Sequence, residues 1–163
     1  MKTSRNGIEL IKRFEAIHDG DKQKPGLQPQ MDPAGIWTEG YGRAMRDDNG
    51  NFIRGAHNRQ LAYSRATIHT HADAERALLQ DLSPREHMVM QKIRVPLTQN
   101  QFDALVSYVY NTGGSSTLFN LINSKASCND IRNWMETRYI TAGGKIYNGL
   151  IRRRKAEADL FFA

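Results

Sequence analysis

Cysteine is almost missing from this chain. Among its 163 residues only Cys128 carries a thiol, so no disulfide can close within the chain and the fold must form without oxidation. A small side chain at least partly buried is the expectation for Cys128, ahead of a nucleophile. Long apolar runs are missing too. No stretch approaches the roughly 18 apolar residues of a membrane-crossing helix. Charged residues interrupt "MKTSRNGIELIKRFE" too often for a secretory leader. The expectation is a protein that stays where it is made until another agent lets it out. Repeats, low-complexity tracts and long linkers are also lacking, which predicts one domain over residues 1–163. The chain has no HExxH and no cysteine pair. His69, His71 and Asp73 therefore read as the start of a capped helix and not as a metal site.

What is present suits a globular domain with its own core. Hydrophobic residues make up 39% of the chain, and a chain of this size buries roughly 68–70% of its unfolded surface. The formal net charge is +6, which favours an anionic partner. The densest basic run, "RRRK" at Arg152–Lys155, reads on its own as a solvated helix face.

Periodicity divides the chain into helices around a small β region. Ile8, Ile11 and Phe14 predict a first helix with Asn6 as its cap. "HDGDKQKPGLQPQMDP" has no period and reads as loop. "GIWTEGYGRAMRDDNGNFIRGAHN" alternates through Ile36 and Thr38 and turns at Asp48–Gly50, as short strands and hairpins do. Thr70 and Asp73 cap a helix through Leu82. Ser83-Pro84 then predicts a fresh helix start. "PLTQNQFDALVSYVYNTGG" carries the clearest local signal: a capping box at Thr98 and Gln101, and apolar Phe102, Leu105, Val106 and Val109 at helical spacing. Three more helices follow, with Gly143-Gly144 separating the last two. The fold class is α+β, mostly α.

Glu15 directly follows the apolar face of the first helix, flanked by Phe14, Ala16 and Ile17. A lone glutamate there would ordinarily be a surface residue. Its company changes that. In "DPAGIWTEGYG" three glycines permit sharp turns that can aim Asp32 and Thr38 at the space Glu15 enters. Two carboxylates on either side of a sugar are the apparatus for cutting a glycosidic bond. One gives a proton to the leaving oxygen. The other stays ionised, and a hydroxyl orients the water. An apolar wall helps a donor keep its proton by desolvating the charged form.

Four stretches together resemble the phage-type lysozymes, the endolysin family that includes the T-even phage lysozymes: "LIKRFEA", "DPAGIWTEGYGRA", "LTQNQFDALVSYVYNTGG" and "GGKIYNGLIRRRKAEADLFF". The resemblance implies a lysozyme-like fold, with a β-containing lobe at about 16–60 and a helical lobe at about 61–163 onto which the first helix packs. It implies hydrolysis of the β-1,4 bond between N-acetylmuramic acid and N-acetylglucosamine in peptidoglycan, with inversion and without metal or organic cofactor. Glu15 would be the general acid, Asp32 the second carboxylate and Thr38 the water-placing hydroxyl. Tyr41 and Asn111 are candidate substrate contacts. The implied setting is a monomer that gathers in the host cytoplasm and needs a holin to reach the wall.

One departure stands out. The family pattern places eight residues between glutamate and aspartate; here sixteen intervene, while the five between Asp32 and Thr38 are kept. The excess reads as a loop insertion, which costs little closure entropy. Lys24 holds the place the standard spacing would give the aspartate. Asp19 and Asp21 stand at the wrong distance from Thr38. Trp37 is expected to anchor the hairpin. Arg153, Arg154 and Glu157 are expected to act through ion pairs and packing. Three other readings compete. A lytic transglycosylase would not need the Asp–Thr pair. A peptidoglycan binder without activity sits badly with the intact trio. A basic nucleic-acid-binding module lacks any recognised motif.

Overall fold

A computed structural model describes residues 1–163, which form two compact units. One comprises Glu15–Asp81. The other is discontinuous, with Met1–Phe14 joined by Leu82–Ala163. No helix is long and apolar enough to cross a membrane.

The discontinuous unit is helical: α1 (Arg5–Glu15, its last residue in the other unit), the second half of α3 (His71–Lys92), α4 (Gln99–Thr112), α5 (Ser116–Asn123), α6 (Cys128–Thr137) and α7 (Asn148–Phe161). At its centre, α4 is buried without a break from Phe102 to Val109. A helix buried all round must satisfy its polar side chains internally, and Asp103 and Ser107 do so. Asp103 accepts hydrogen bonds from Ser4 N–H, the Ser4 hydroxyl and Gln99 Nε2. The Ser107 hydroxyl donates to Glu157 Oε1 at 2.6 Å. The Thr98–Gln101 capping box is present, and Gly113 closes the helix in the left-handed conformation.

Against α4 lies α7, whose Glu157 is fully buried between Arg153 (3.0 Å) and Arg154 (3.1 Å). Burial pushes the Glu157 carboxyl up, and the guanidiniums of Arg154 and Arg153 oppose the push. These three residues are structural, as the sequence predicted. Tyr108 packs beneath Arg154, and burial raises its phenol to about 12.

The Glu15–Asp81 unit holds a three-stranded antiparallel sheet. Its strands are β1 (Gln30–Met31), β2 (Trp37–Glu39) and β3 (Arg43–Ala44), in that order. Gln30 pairs with Thr38, and Thr38 with Ala44. Two small apolar clusters support it. Trp37, Met45, Ile53 and Ala62 form one; Leu27, Ile68, Ala74 and Ala77 form the other, with Ile17 and Tyr41 against it. Trp37 is the expected anchor: it is buried and its indole N–H donates to Gly55 O at 2.8 Å. A 3₁₀ turn (Ala56–Asn58), α2 (Arg59–Arg65) and the first half of α3 complete the unit.

Four local expectations are corrected, and a fifth, the Gly143-Gly144 separator of the last two helices, holds and gains detail. Helix α3 runs unbroken through Pro84; a proline inside a helix costs about 3 kcal/mol, offset here by buried Leu78, Leu82 and Val89 on both sides. Gln30–Met31, read as loop, is a strand because Thr38 and Trp37 pair with it. The Gly143-Gly144 spacer is the turn of a hairpin joining β4 (Thr141–Ala142) to β5 (Lys145–Ile146). Asn6 lies inside α1, which starts a residue earlier. Cys128 is exposed, at the first position of α6, because Ser127 supplies the cap and Ile131 and Met135 take the buried face.

Candidate active site

Glu15, Asp32 and Thr38 all belong to the Glu15–Asp81 unit. Glu15 is the last residue of α1, and Ala16 after it adopts a left-handed φ of 55°. That conformation costs a residue with a Cβ roughly 1–2 kcal/mol, and it turns the chain sharply at the carboxylate. Gly42 explains where the carboxylate goes. A Cβ at Gly42 would lie 2.9 Å from Glu15 Oε2, so the bare backbone of the β2–β3 turn makes room for it.

Asp32 heads the turn between β1 and β2. Its N–H donates to Ile36 O, its carbonyl accepts from Gly35 N–H, and its Oδ1 accepts from Ile36 N–H at 2.8 Å. One carboxylate oxygen is thereby fixed by the backbone and the other, Oδ2, is left for solvent. Gly35 turns with φ 80°, the glycine signal the sequence carried.

Thr38 sits in the middle strand and is buried. Its hydroxyl donates to Gln30 O at 2.9 Å and lies 3.3 Å from His18 Nδ1. His18 is tied down by its own N–H, which donates to Gly40 O at 2.8 Å. The sequence reading missed His18, because only the folded path of the long segment after Glu15 brings it back to β2. Next to Thr38, buried Glu39 accepts from Thr67 N–H, the Thr67 hydroxyl and Ile68 N–H. It therefore holds β2 in place and is not a spare catalytic carboxylate.

The competing acids are engaged elsewhere. Asp19 Oδ1 accepts from Gln28 N–H and Asp21 N–H, and Asp21 lies by Arg59 and Lys24. The segment from Ile17 to Met31 is pinned along its length: Gly20 N–H donates to Gln28 O, and Leu27 N–H to His69 O. Asp73 caps α3, accepting from the His69 and Thr70 amides while its own N–H donates to the Thr70 hydroxyl. Tyr41 packs on the Leu27 cluster. Asn111 lies in the helical unit, where its Oδ1 accepts from Arg154 Nη2 at 2.8 Å. The turn after α4 is closed instead by the Thr112 hydroxyl, which accepts from Gly114 N–H.

Within one unit, then, Glu15 lies against the β2–β3 turn, Asp32 heads the β1–β2 turn and Thr38 sits in β2, the trio that the resemblance to phage-type lysozymes leads one to expect. Comparison with known proteins agrees. The pattern of the phage lysozyme family matches residues 22–157, which includes Asp32 and Thr38 and begins after Glu15. An endolysin of Acyrthosiphon pisum secondary endosymbiont phage 1 is 32% identical over 167 residues, covering 99% of this chain and 98% of that one. The endolysin of Bacillus phage B103 is 32% identical over 168 residues; the match covers 99% of this chain but only 54% of that protein, so the chain spans about half its length. Among solved structures, the muramidase domain of SpmX from Asticaccaulis excentricus has a TM-score of 0.73 at 31% identity, covering 99% of this chain and 98% of that one. An endolysin from Escherichia coli O157:H7 phage FAHEc1 has a TM-score of 0.73 at 32% identity, covering 99% and 93%. The chain belongs to the phage lysozyme family.

Proposed function

We propose that this chain is an endolysin that hydrolyses the β-1,4 bond between N-acetylmuramic acid and N-acetylglucosamine in bacterial peptidoglycan. The observation that carries the reading is the placement of Glu15 against the bare Gly42 backbone, in the same unit as a backbone-fixed Asp32 and a buried Thr38. Glu15 donates its proton to the glycosidic oxygen as the bond to the anomeric carbon breaks. A water held by Thr38 attacks that carbon from the opposite face. It passes a proton to Asp32, whose negative charge also supports the developing oxocarbenium. The anomeric configuration inverts. Solvent then reprotonates Glu15 and takes the proton from Asp32, and no cofactor enters the cycle.

The +6 charge suits an anionic wall polymer and the envelope around it. In this reading the chain acts as a monomeric catalytic domain, waits in the host cytoplasm and reaches its substrate through a holin lesion.

The test is clearing of outer-membrane-permeabilised Gram-negative cells by wild type, Glu15→Gln and Asp32→Asn, with circular dichroism to confirm equal folding. Wild type should clear, and both variants should stay folded and fail. The released ends should be reducing sugars. Anhydro-muramyl ends, or an active Asp32→Asn, would replace hydrolysis with transglycosylation.

A further inference from the structure

We infer that His18 is a positioning residue, which forces the Thr38 hydroxyl to act as a hydrogen-bond acceptor toward the attacking water. The inference rests on the lysozyme reading above. The Thr38 hydroxyl has one proton and two lone pairs. Gln30 O, 2.9 Å away, is a carbonyl and can only accept. The single proton of Thr38 is therefore spent on Gln30. His18 Nδ1, 3.3 Å from the same oxygen, must then bring its own hydrogen. The ring is thereby fixed as the Nδ1–H form, donating to Thr38.

One lone pair on Thr38 is left. A water bound there has no choice but to donate a hydrogen to it. With its other hydrogen directed to Asp32, the oxygen presents a lone pair, as a nucleophile must. If the ring carried its hydrogen on Nε2 instead, Thr38 would face two acceptors with one proton. The hydroxyl would then rotate between them, and the water would lose its defined orientation.

Both partners of Thr38 come from the segment between Glu15 and Asp32, the stretch that exceeds the family spacing. Gln30 reaches Thr38 through the β1–β2 register, and His18 through its backbone bond to Gly40. The lengthened segment thus supplies two groups to the site, where the sequence suggested only a reshaped rim.

The test has two arms. The first is nitrogen-15 NMR of the His18 ring in the intact wild-type protein, at a pH where the ring is neutral. Nδ1–H is the expected form. The second is kinetics on a soluble peptidoglycan fragment. His18→Asn places an amide N–H near the Nδ1 position, His18→Gln carries it out toward Nε2, and His18→Leu removes it. The Leu and Gln variants should lose roughly tenfold in kcat with KM unchanged, and the Asn variant should recover most of it. An Nε2–H ring in an active wild type overturns this inference alone, and so does a Leu variant with wild-type kcat or an Asn variant as slow as Leu. A variant that does not fold leaves the wild-type ring measurement to decide. A wild type that cuts nothing overturns the lysozyme reading, and this inference with it.

Discussion

Replacing Gly42 with alanine tests how closely Glu15 must be placed. Two costs follow from the structure. Gly42 has φ 82°, where an L-residue pays roughly 1–2 kcal/mol. At roughly 2–4 °C per kcal/mol for a chain of this size, the melting temperature should fall by a few degrees. The second cost is specific to the site. The new Cβ would sit 2.9 Å from Glu15 Oε2 and 3.7 Å from its Cδ, while ordinary contacts begin near 3.4 Å. The carboxyl must therefore retreat by about 0.5 Å. Misplacing a catalytic group by 1 Å can cost about 100-fold, so about tenfold in kcat is expected, or ~1.4 kcal/mol of barrier. Gly50→Ala is the matched control. Its φ is 79°, and nothing lies within 4 Å of the position a Cβ would take. It should lose the same few degrees and keep full kcat. Turbidity clearing for rate and thermal denaturation for stability suffice. Equal kcat for the two variants would refute the claim that Glu15 acts from the pocket Gly42 leaves.

Glu157→Gln should be the most destabilising of the isosteric changes. It leaves the guanidiniums of Arg153 and Arg154 buried against a neutral amide, a loss of roughly 3–5 kcal/mol, to be read as a lower urea midpoint at unchanged slope. Glu86 offers a pH prediction. Burial raises its carboxyl, but donation from Lys2 Nζ (2.7 Å), Thr3 N–H and the Thr3 hydroxyl (both 2.8 Å) outweighs this and holds it below the usual range. A depressed carboxylate stabilises the fold above its unfolded pKa, and that contribution is lost as pH falls through the folded one. Wild type should thus be more stable than Glu86→Gln at pH 7. The gap should close as the pH drops below the ordinary glutamate value of about 4.3, as followed by urea midpoints across pH. A gap that persists into acid would sink the assignment.

The features legible in the sequence are those whose cause lies within a few residues. The Thr98–Gln101 box needs only a spacing of three, and it formed as read. The turn that presents Asp32 needs Gly35 a few positions on. Arg153, Arg154 and Glu157 share one helix face by their spacing. What escaped depends on partners far along the chain. Gln30 has no strand signal of its own and becomes one through Thr38. His18 earns its place only when Gly40 and Thr38 return to it. Pro84 is a local stop signal overruled by buried neighbours along the same helix. The β4–β5 hairpin has one local cue, since Gly-Gly favours a two-residue turn, but Ala142 and Lys145 beside it carry no strand preference.

The discontinuity of the helical unit has a consequence during synthesis. Ser4 and the rest of α1 leave the ribosome early, yet Ser4 bonds Asp103, 99 positions later. At about 5–20 residues per second, those partners arrive roughly 5–20 s after α1. Throughout that interval α1, whose Ile11 is wholly buried in the finished protein, lacks the later helices of its own unit. The residues from Glu15 to Asp81 emerge meanwhile as a complete unit. On the growing chain, then, the unit that carries the candidate active site can assemble first, while the nascent α1 remains a natural client for a chaperone.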